Sequence, residues 1–143
     1  PHVTELIASK KLRDDLNYFS SYSNIEIASH KKYPDVNNLI PYVDMLLSDY
    51  SALYHDYLLL DRPIGLIPYD YDSFNLSNGF LYPYMDLMPG KNISTFNDFI
   101  DFFDELVNPE LNSEKRKKLR DIIFESIPGS ARENTFKLIN KLL

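Results

Sequence analysis

The sequence predicts an α/β fold, a Rossmann-like three-layer α/β/α domain with a parallel sheet. Two observations carry this expectation. Short apolar runs bounded by turn residues, "MLL" and "IGLI", are too brief for helices and read as buried strands. Segments with helical apolar spacing lie between and after them, and alternation of strand and helix implies βαβ units. The 143 residues suffice for one domain, expected to span 1–143.

Along the chain, "TELIASKKLRDDLNYF" places Leu6, Ile7, Leu12, Leu16 and Phe19 at helical spacing, with Thr4 as N-cap. "SNIEIAS", Ser23 to Ser29, alternates Ile25 and Ile27 with polar residues and reads as a strand. Asp35 caps a short helix carrying Val36, Leu39 and Ile40. "DMLLSD" is the second strand, Ser51 to Asp61 a helix, and "RPIGLIPYD" the third strand, with Pro63 at its first position. Ser73 to Lys91 reads as a long irregular aromatic loop, a length associated with function. Three helices follow. "STFNDFIDFFDELV" is capped at Ser94 or Thr95 and has Phe96, Phe99, Ile100, Phe103 and Leu106 on one face. "NSEKRKKLRDIIFES" is capped at Asn112 or Ser113, and "SARENTFKLINKLL" closes the chain.

Charge and composition narrow the function. A formal charge of −6 argues against a general nucleic-acid binder, which needs a surplus of cations to displace counterions. Without cysteine there are no disulfides, thiolate metal sites or Cys nucleophiles. His2, His30 and His55 have no metal-ligand spacing, and no metal or cofactor is expected. No apolar run reaches the roughly 18 residues of a membrane span. The chain opens without methionine and reads as a segment of a longer protein.

In parallel α/β sheets ligands bind outside the carboxyl ends of the strands. The first such place is Ser48-Asp49-Tyr50-Ser51, between a strand and a helix. A helix N-terminus offers unpaired N–H groups and a partial positive charge, and it holds a phosphate without any cation. Ser48 and Ser51 add hydroxyls. The same residues also serve as a plain N-cap, worth about 1 kcal/mol, and spacing alone leaves both readings open. His30 follows a strand directly, as a ligand or as a solvated loop residue; His55 is a mid-helix structural residue. Asp70 and Asp72 follow the third strand, where they can meet hydroxyls or a metal-bound phosphate. Tyr82 and Tyr84 either line a cleft or fold over the core. "GSAREN" repeats the theme of a helix start, with Ser130 as cap or anion ligand and Arg132 in the first turn. The run "EKRKKLR" is a basic helix face.

Three blocks taken together, "YPDVNNLIPYVDMLLSDYSALYHDYLLLDRPIGLIPYD", "NGFLYPYMDLMPG" and "GSAREN", resemble the C-terminal half of the CDP-glycerol glycerophosphotransferase family of teichoic-acid and capsule polymerases, from about Tyr33 to about Arg132. The resemblance implies the donor-binding half of a GT-B enzyme whose N-terminal domain is absent here. It implies a CDP-activated polyol as donor, a polymer or lipid-linked acceptor, no nucleic-acid partner, and a full-length protein peripherally attached to the cytoplasmic face of the bacterial membrane. Ser48, Asp49, Tyr50 and Ser51 would hold the diphosphate. His30, Tyr33, Pro34 and Asp35 would lie on the nucleoside side, and Asn78, Gly79, Ser130 and Arg132 on the nucleoside or polyol side. His2, in "PHV", is similar to a family histidine implicated in phosphate binding or catalysis. Three departures bear on donor choice: Ser51-Ala52 where the family has Ser-Ser, Asn78-Gly79 where it often has Arg-Gly, and "SAREN", which shifts Arg132 in register. A GT-B glycosyltransferase using a nucleotide sugar shares this architecture. A non-catalytic Rossmann-like module would keep the turn only as a cap.

Overall fold

The computed structural model describes residues 9–124 and 129–142. The chain divides into two compact units, Pro1–Leu39 and Ile40–Leu143, and each is described by itself.

In the first unit, α1 spans Lys10–Phe19. Ser9 is its N-cap, its side chain accepting from the Leu12 N–H at 3.1 Å. Thr4, the expected cap, lies outside the described residues. The expected strand at Ser23–Ser29 is not formed. Its backbone bonds are local turns, such as Ser29 N–H to Ile27 C=O at 2.8 Å. Alternation makes a strand only where a neighbouring strand offers a ladder, and this segment has none among the described residues. Asp35 does cap a short 3₁₀ turn, Val36–Asn38, accepting from the Asn37 N–H at 2.9 Å.

The second unit holds the sheet. Strand β1 is Leu46–Ser48, β2 is Ile64–Leu66 and β3 is Lys91–Asn92. All pair in parallel in the order β1-β2-β3. The register sets Ser48 opposite Leu66 and Leu66 opposite Asn92, so these three form one row at the carboxyl edge. Strand β3 lies where an irregular loop was expected. Gly90 explains how it docks: a Cβ there would stand 1.7 Å from the Ile64 carbonyl oxygen. Only glycine lets the two backbones approach this closely.

The expected helix from Ser51 to Asp61 is shorter and tightens. Helix α2 covers Leu53–Tyr57, and a 3₁₀ turn, Leu58–Leu60, completes it. The aromatic loop begins with helix α3, Tyr71–Ser77. The single helix expected after Thr95 is broken at Phe103 into α4, Phe96–Phe102, and α5, Asp104–Val107. Thr95 caps α4 in a full capping box with Asp98. The expected apolar face was the wrong one. Phe96, Ile100, Phe103 and Leu106 are exposed, and Phe102 is the buried ring. Helices α6, Ser113–Ile123, and α7, Ala131–Leu142, follow, and α7 buries no residue.

Tyr57, Leu58, Ile64, Leu66, Tyr84 and Leu119 form the centre of the core. Among them lies Arg116 of α6, 1% exposed. Its Nε donates to Asp61 Oδ1 at 2.9 Å and a terminal nitrogen donates to the Pro109 carbonyl. Its Nη1 stands 3.6 Å from the equally buried Glu105. Burial raises the Glu105 pKa, opposed by its bond from Asn112 and by Arg116. Asp61 takes the left-handed conformation, φ 50°, that turns the chain into β2. Arg62 then donates to the Pro41 and Val43 carbonyls, at 2.9 and 2.7 Å, ahead of β1.

Two outcomes are expected. Gly90→Ala lowers stability by about 3 kcal/mol or more, because backbone and not a flexible side chain blocks the methyl. Urea unfolding measures it. Arg116→Met costs about 3–5 kcal/mol, since Glu105 stays buried without its cation. The same measurement should show a lower midpoint at an unchanged slope.

Candidate functional site

The turn after β1 is held by its own side chains. The Asp49 carboxylate accepts from the Ser51 N–H at 3.0 Å, and Ser51 Oγ accepts from the Leu53 N–H at 3.4 Å. Ala52, at the helix N-cap position, supplies no side-chain bond. The Ser51 hydroxyl acts as acceptor here, so its own proton remains free to donate outward. Ser51 and Asp49 are exposed and Ser48 is half-buried. Helix α2 is only five residues long. Its dipole is correspondingly small, which shifts the weight of any anion binding onto the hydroxyls.

An aromatic wall backs the turn. The Tyr50 ring stacks on Phe74 at 4.2 Å and meets Phe80 at 5.5 Å and Tyr84 at 5.3 Å. Phe74 and Phe80 flank Asn78-Gly79, so the structure brings Tyr50 and that turn to one place. Gly79, φ 70°, ends α3, its N–H bonded to the Asn75 carbonyl at 3.1 Å. Tyr84 is a core residue whose hydroxyl donates to the Asp49 carbonyl at 3.2 Å, fixing the turn from below. The Tyr50 hydroxyl and Asp70 Oδ1 are both buried without a hydrogen-bond partner. Burial, and next the Asp70 carboxylate, push the Tyr50 phenol up to about 12.

Beside this wall, Tyr82 ties the loop to α2. Its hydroxyl bonds to Tyr54 Oη and, at 2.6 Å, to His55 Nε2. Burial raises the pKa of Tyr54 and Tyr82 and lowers that of His55. No local pattern beyond a mid-helix histidine signals this cluster; the contact joins residues 27 positions apart.

His2 lies outside the described residues. His30, Tyr33, Pro34 and Asp35 belong to the first unit, where His30 is exposed and Asp35 is engaged as a cap. Ser130 and Arg132 open α7, and the Asn134 side chain donates to Ser130 Oγ at 3.3 Å. Arg132 lines an open cleft with Phe136 and Ile139. No cluster of three or more metal-ligating side chains occurs among the described residues. No helix among them is long and apolar enough to cross a membrane.

A family model described as CDP-Glycerol:Poly(glycerophosphate) glycerophosphotransferase matches residues 8–141. The chain belongs to this glycerophosphotransferase family. Two ribitol-phosphate polymerases are similar over most of it. The teichoic acid poly(ribitol-phosphate) polymerase of Bacillus spizizenii is 28% identical over 122 residues, covering 85% of this chain and 19% of that protein. The teichoic acid ribitol-phosphate polymerase TarK of Staphylococcus aureus is 26% identical over 125 residues, 87% of this chain and 22% of that protein. The teichoic acid poly(glycerol phosphate) polymerase of Staphylococcus epidermidis is 38% identical over 72 residues, 50% of this chain and 10% of that protein. The chain thus matches about a fifth of the length of the first two. The solved structure of the wall teichoic acid polymerase TagF superposes with a TM-score of 0.70 at 28% identity, covering 91% of this chain and 32% of that one. The fold of this glycerophosphotransferase-family chain is a Rossmann-like α/β architecture with a parallel sheet, shared with that structure. The Asp61-Arg62-Pro63 block that marked the resemblance makes structural bonds here, to Arg116 and to the lead-in of β1.

His55 sets a pH dependence. Its folded pKa lies below its usual value near 6.5, so the unfolded chain binds the proton first on acidification. Stability from this group is therefore full above about pH 6.5 and falls as the pH drops below it. His55→Gln keeps a partner for Tyr82 and should flatten the loss of Tm between about pH 7 and 5.5. An unchanged acid slope in calorimetric melts would assign the loss to other groups.

Proposed function

We propose that this chain is the donor-binding part of an enzyme that moves a polyol phosphate from a CDP-activated polyol, such as CDP-glycerol, to a hydroxyl of a cell-wall or capsule polymer. The observation that carries the reading is the β1–α2 turn. It lies at the carboxyl edge of a parallel sheet, and the Ser51 hydroxyl keeps its proton free to donate. Family membership and the teichoic acid polymerases among the relatives support it.

In this proposal Ser48, Ser51 and the amides near Ala52 bind the diphosphate. An acceptor hydroxyl attacks the β-phosphorus, the new O–P bond forms, the bond to the CMP oxygen breaks and the acceptor proton is released. Donors aimed at the diphosphate stabilise the charge that grows on the leaving CMP. Asn78 and Gly79, behind the Tyr50 ring, border the polyol side. His30, Tyr33, Pro34 and Asp35 serve the nucleoside side, and Ser130 and Arg132 the nucleoside or polyol side. His2 binds the phosphate or protonates the leaving group. The residues form a single nucleotide-donor domain over 1–143, whose catalytic partner is an N-terminal GT-B domain. The whole enzyme works on a polymer or lipid-linked acceptor at the cytoplasmic face of the membrane, held there peripherally.

Calorimetric titration with CDP-glycerol, CDP, UDP and UDP-glucose tests this, with Ser51→Ala in parallel. Cytidine compounds should bind in preference, and Ser51→Ala should weaken them about tenfold, the loss of one hydrogen bond to a charged group. Preference for uridine compounds would favour a sugar transferase. Binding untouched by Ser51→Ala, with only a lower Tm, would leave the turn as a cap.

A further inference from the structure

A second polar cleft opens at the same edge of the sheet, between β3 and α6. It has a volume of about 290 Å³ and is lined by Lys115, Lys118, Asn92, Asp86 and Gly90, among others. Asn92 is the last residue of β3 and shares its row with Ser48. Two strand spacings, about 10 Å, therefore separate the two in the sheet. Gly90, just before β3, lines the cleft with backbone alone.

Helix α6 explains the charge. In "EKRKKLR", Arg116 turns inward and is consumed by Asp61, Glu105 and the Pro109 carbonyl. Lys115 and Lys118, one turn apart, flank it and line the cleft. Neither forms an ion pair with a carboxylate among the described residues. In a chain of net charge −6 this is a local reversal of sign. The rest of the lining is mixed: Met85, Leu87 and Met88 are apolar, Asp86 offers acceptors, and the Asn92 carboxamide offers its N–H donors while its Oδ1 accepts from Ser94 Oγ at 3.2 Å. A cation pair beside a carboxylate and a carboxamide matches a phosphate flanked by hydroxyls.

We propose that this cleft holds one polyol-phosphate unit of the acceptor chain. The proposal rests on the transferase reading above and deepens it by locating the acceptor. The phosphodiester lies against Lys115 and Lys118, and the hydroxyls of the unit meet Asp86 and Asn92. A few repeat units then carry the growing chain from the cleft to the β1 turn. The cleft thereby selects acceptors that already carry phosphate.

The probe is a soluble oligo(glycerol phosphate), titrated into the 143-residue chain by calorimetry. Lys115→Ala/Lys118→Ala is compared with Lys117→Ala/Lys141→Ala, which removes the same charge outside the cleft. The cleft pair should weaken binding about tenfold, roughly threefold per exposed cation, and the control pair less than twofold. Equal losses in both pairs would mean diffuse attraction and overturn the proposal. So would failure of the oligomer to bind, or binding only to phosphatidylglycerol vesicles, which assigns the lysines to a lipid headgroup. CDP is titrated into the same samples and should be indifferent to both pairs. If CDP binds in a Ser51-dependent way and the oligomer does not, this inference fails and the donor reading stands; if neither binds, both fail.

Discussion

The buried guanidinium of Arg116 joins the parts of the second unit. It reaches the carboxylate that turns the chain into β2, the carboxylate of α5 and the carbonyl of Pro109. Arg62, next to Asp61, grips the carbonyls ahead of β1. One network thus sets the amino edge of the sheet, where α6, β1 and β2 meet. Two charged residues at 1% exposure are stable only while they compensate each other. The strands are three, three and two residues long and have little ladder of their own. Their register depends on this bolt and on the close approach of Gly90 to Ile64.

With the amino edge fixed, the carboxyl edge is free to carry chemistry. Cap and cradle are not rival structures there. The same amides and hydroxyls do both, and what differs is the acceptor. In the free chain Asp49 and Ser51 accept from the backbone N–H groups. That closes the turn without exhausting its donors, because a hydroxyl that accepts still has a proton to give. The carboxylate of Asp49 is a cost for any anion nearby, and the short α2 helix offsets little of it. The Tyr50 hydroxyl and Asp70 Oδ1, buried atoms that interact with each other, lie at the same edge.

Much of this was legible in the sequence, for definite reasons. The strands at Leu46–Ser48 and Ile64–Leu66 are apolar runs framed by turn residues, and the caps at Asp35 and Thr95 are read from their side chains. Strand β3 was not legible, because Lys91–Asn92 is two polar residues whose pairing is decided by the glycine before them. Ile25 and Ile27 alternate well and still form no strand, since a ladder is a property of neighbours. Phe102 is buried in place of the expected face because its ring packs over Gly65 of β2, where the missing side chain leaves room for it. In the site, the turn could be found from Ser48–Ser51, but the bonds from Tyr82 to Tyr54 and His55 join distant segments and left no local pattern. The Asp61-Arg62-Pro63 signature was legible as a mark of family and opaque as to role, which the structure resolves as a fastening at the other edge of the sheet.

The most direct measurement is a nitrogen–proton NMR map of backbone amides as CDP is added to the chain. The phosphate-cradle account predicts the largest shifts at Ser51, Ala52 and Leu53, with smaller ones at Asp70 and Tyr71, while amides around Arg116 stay still. Shifts centred on the first turn of α7, with Ser51 to Leu53 unmoved, would contradict it.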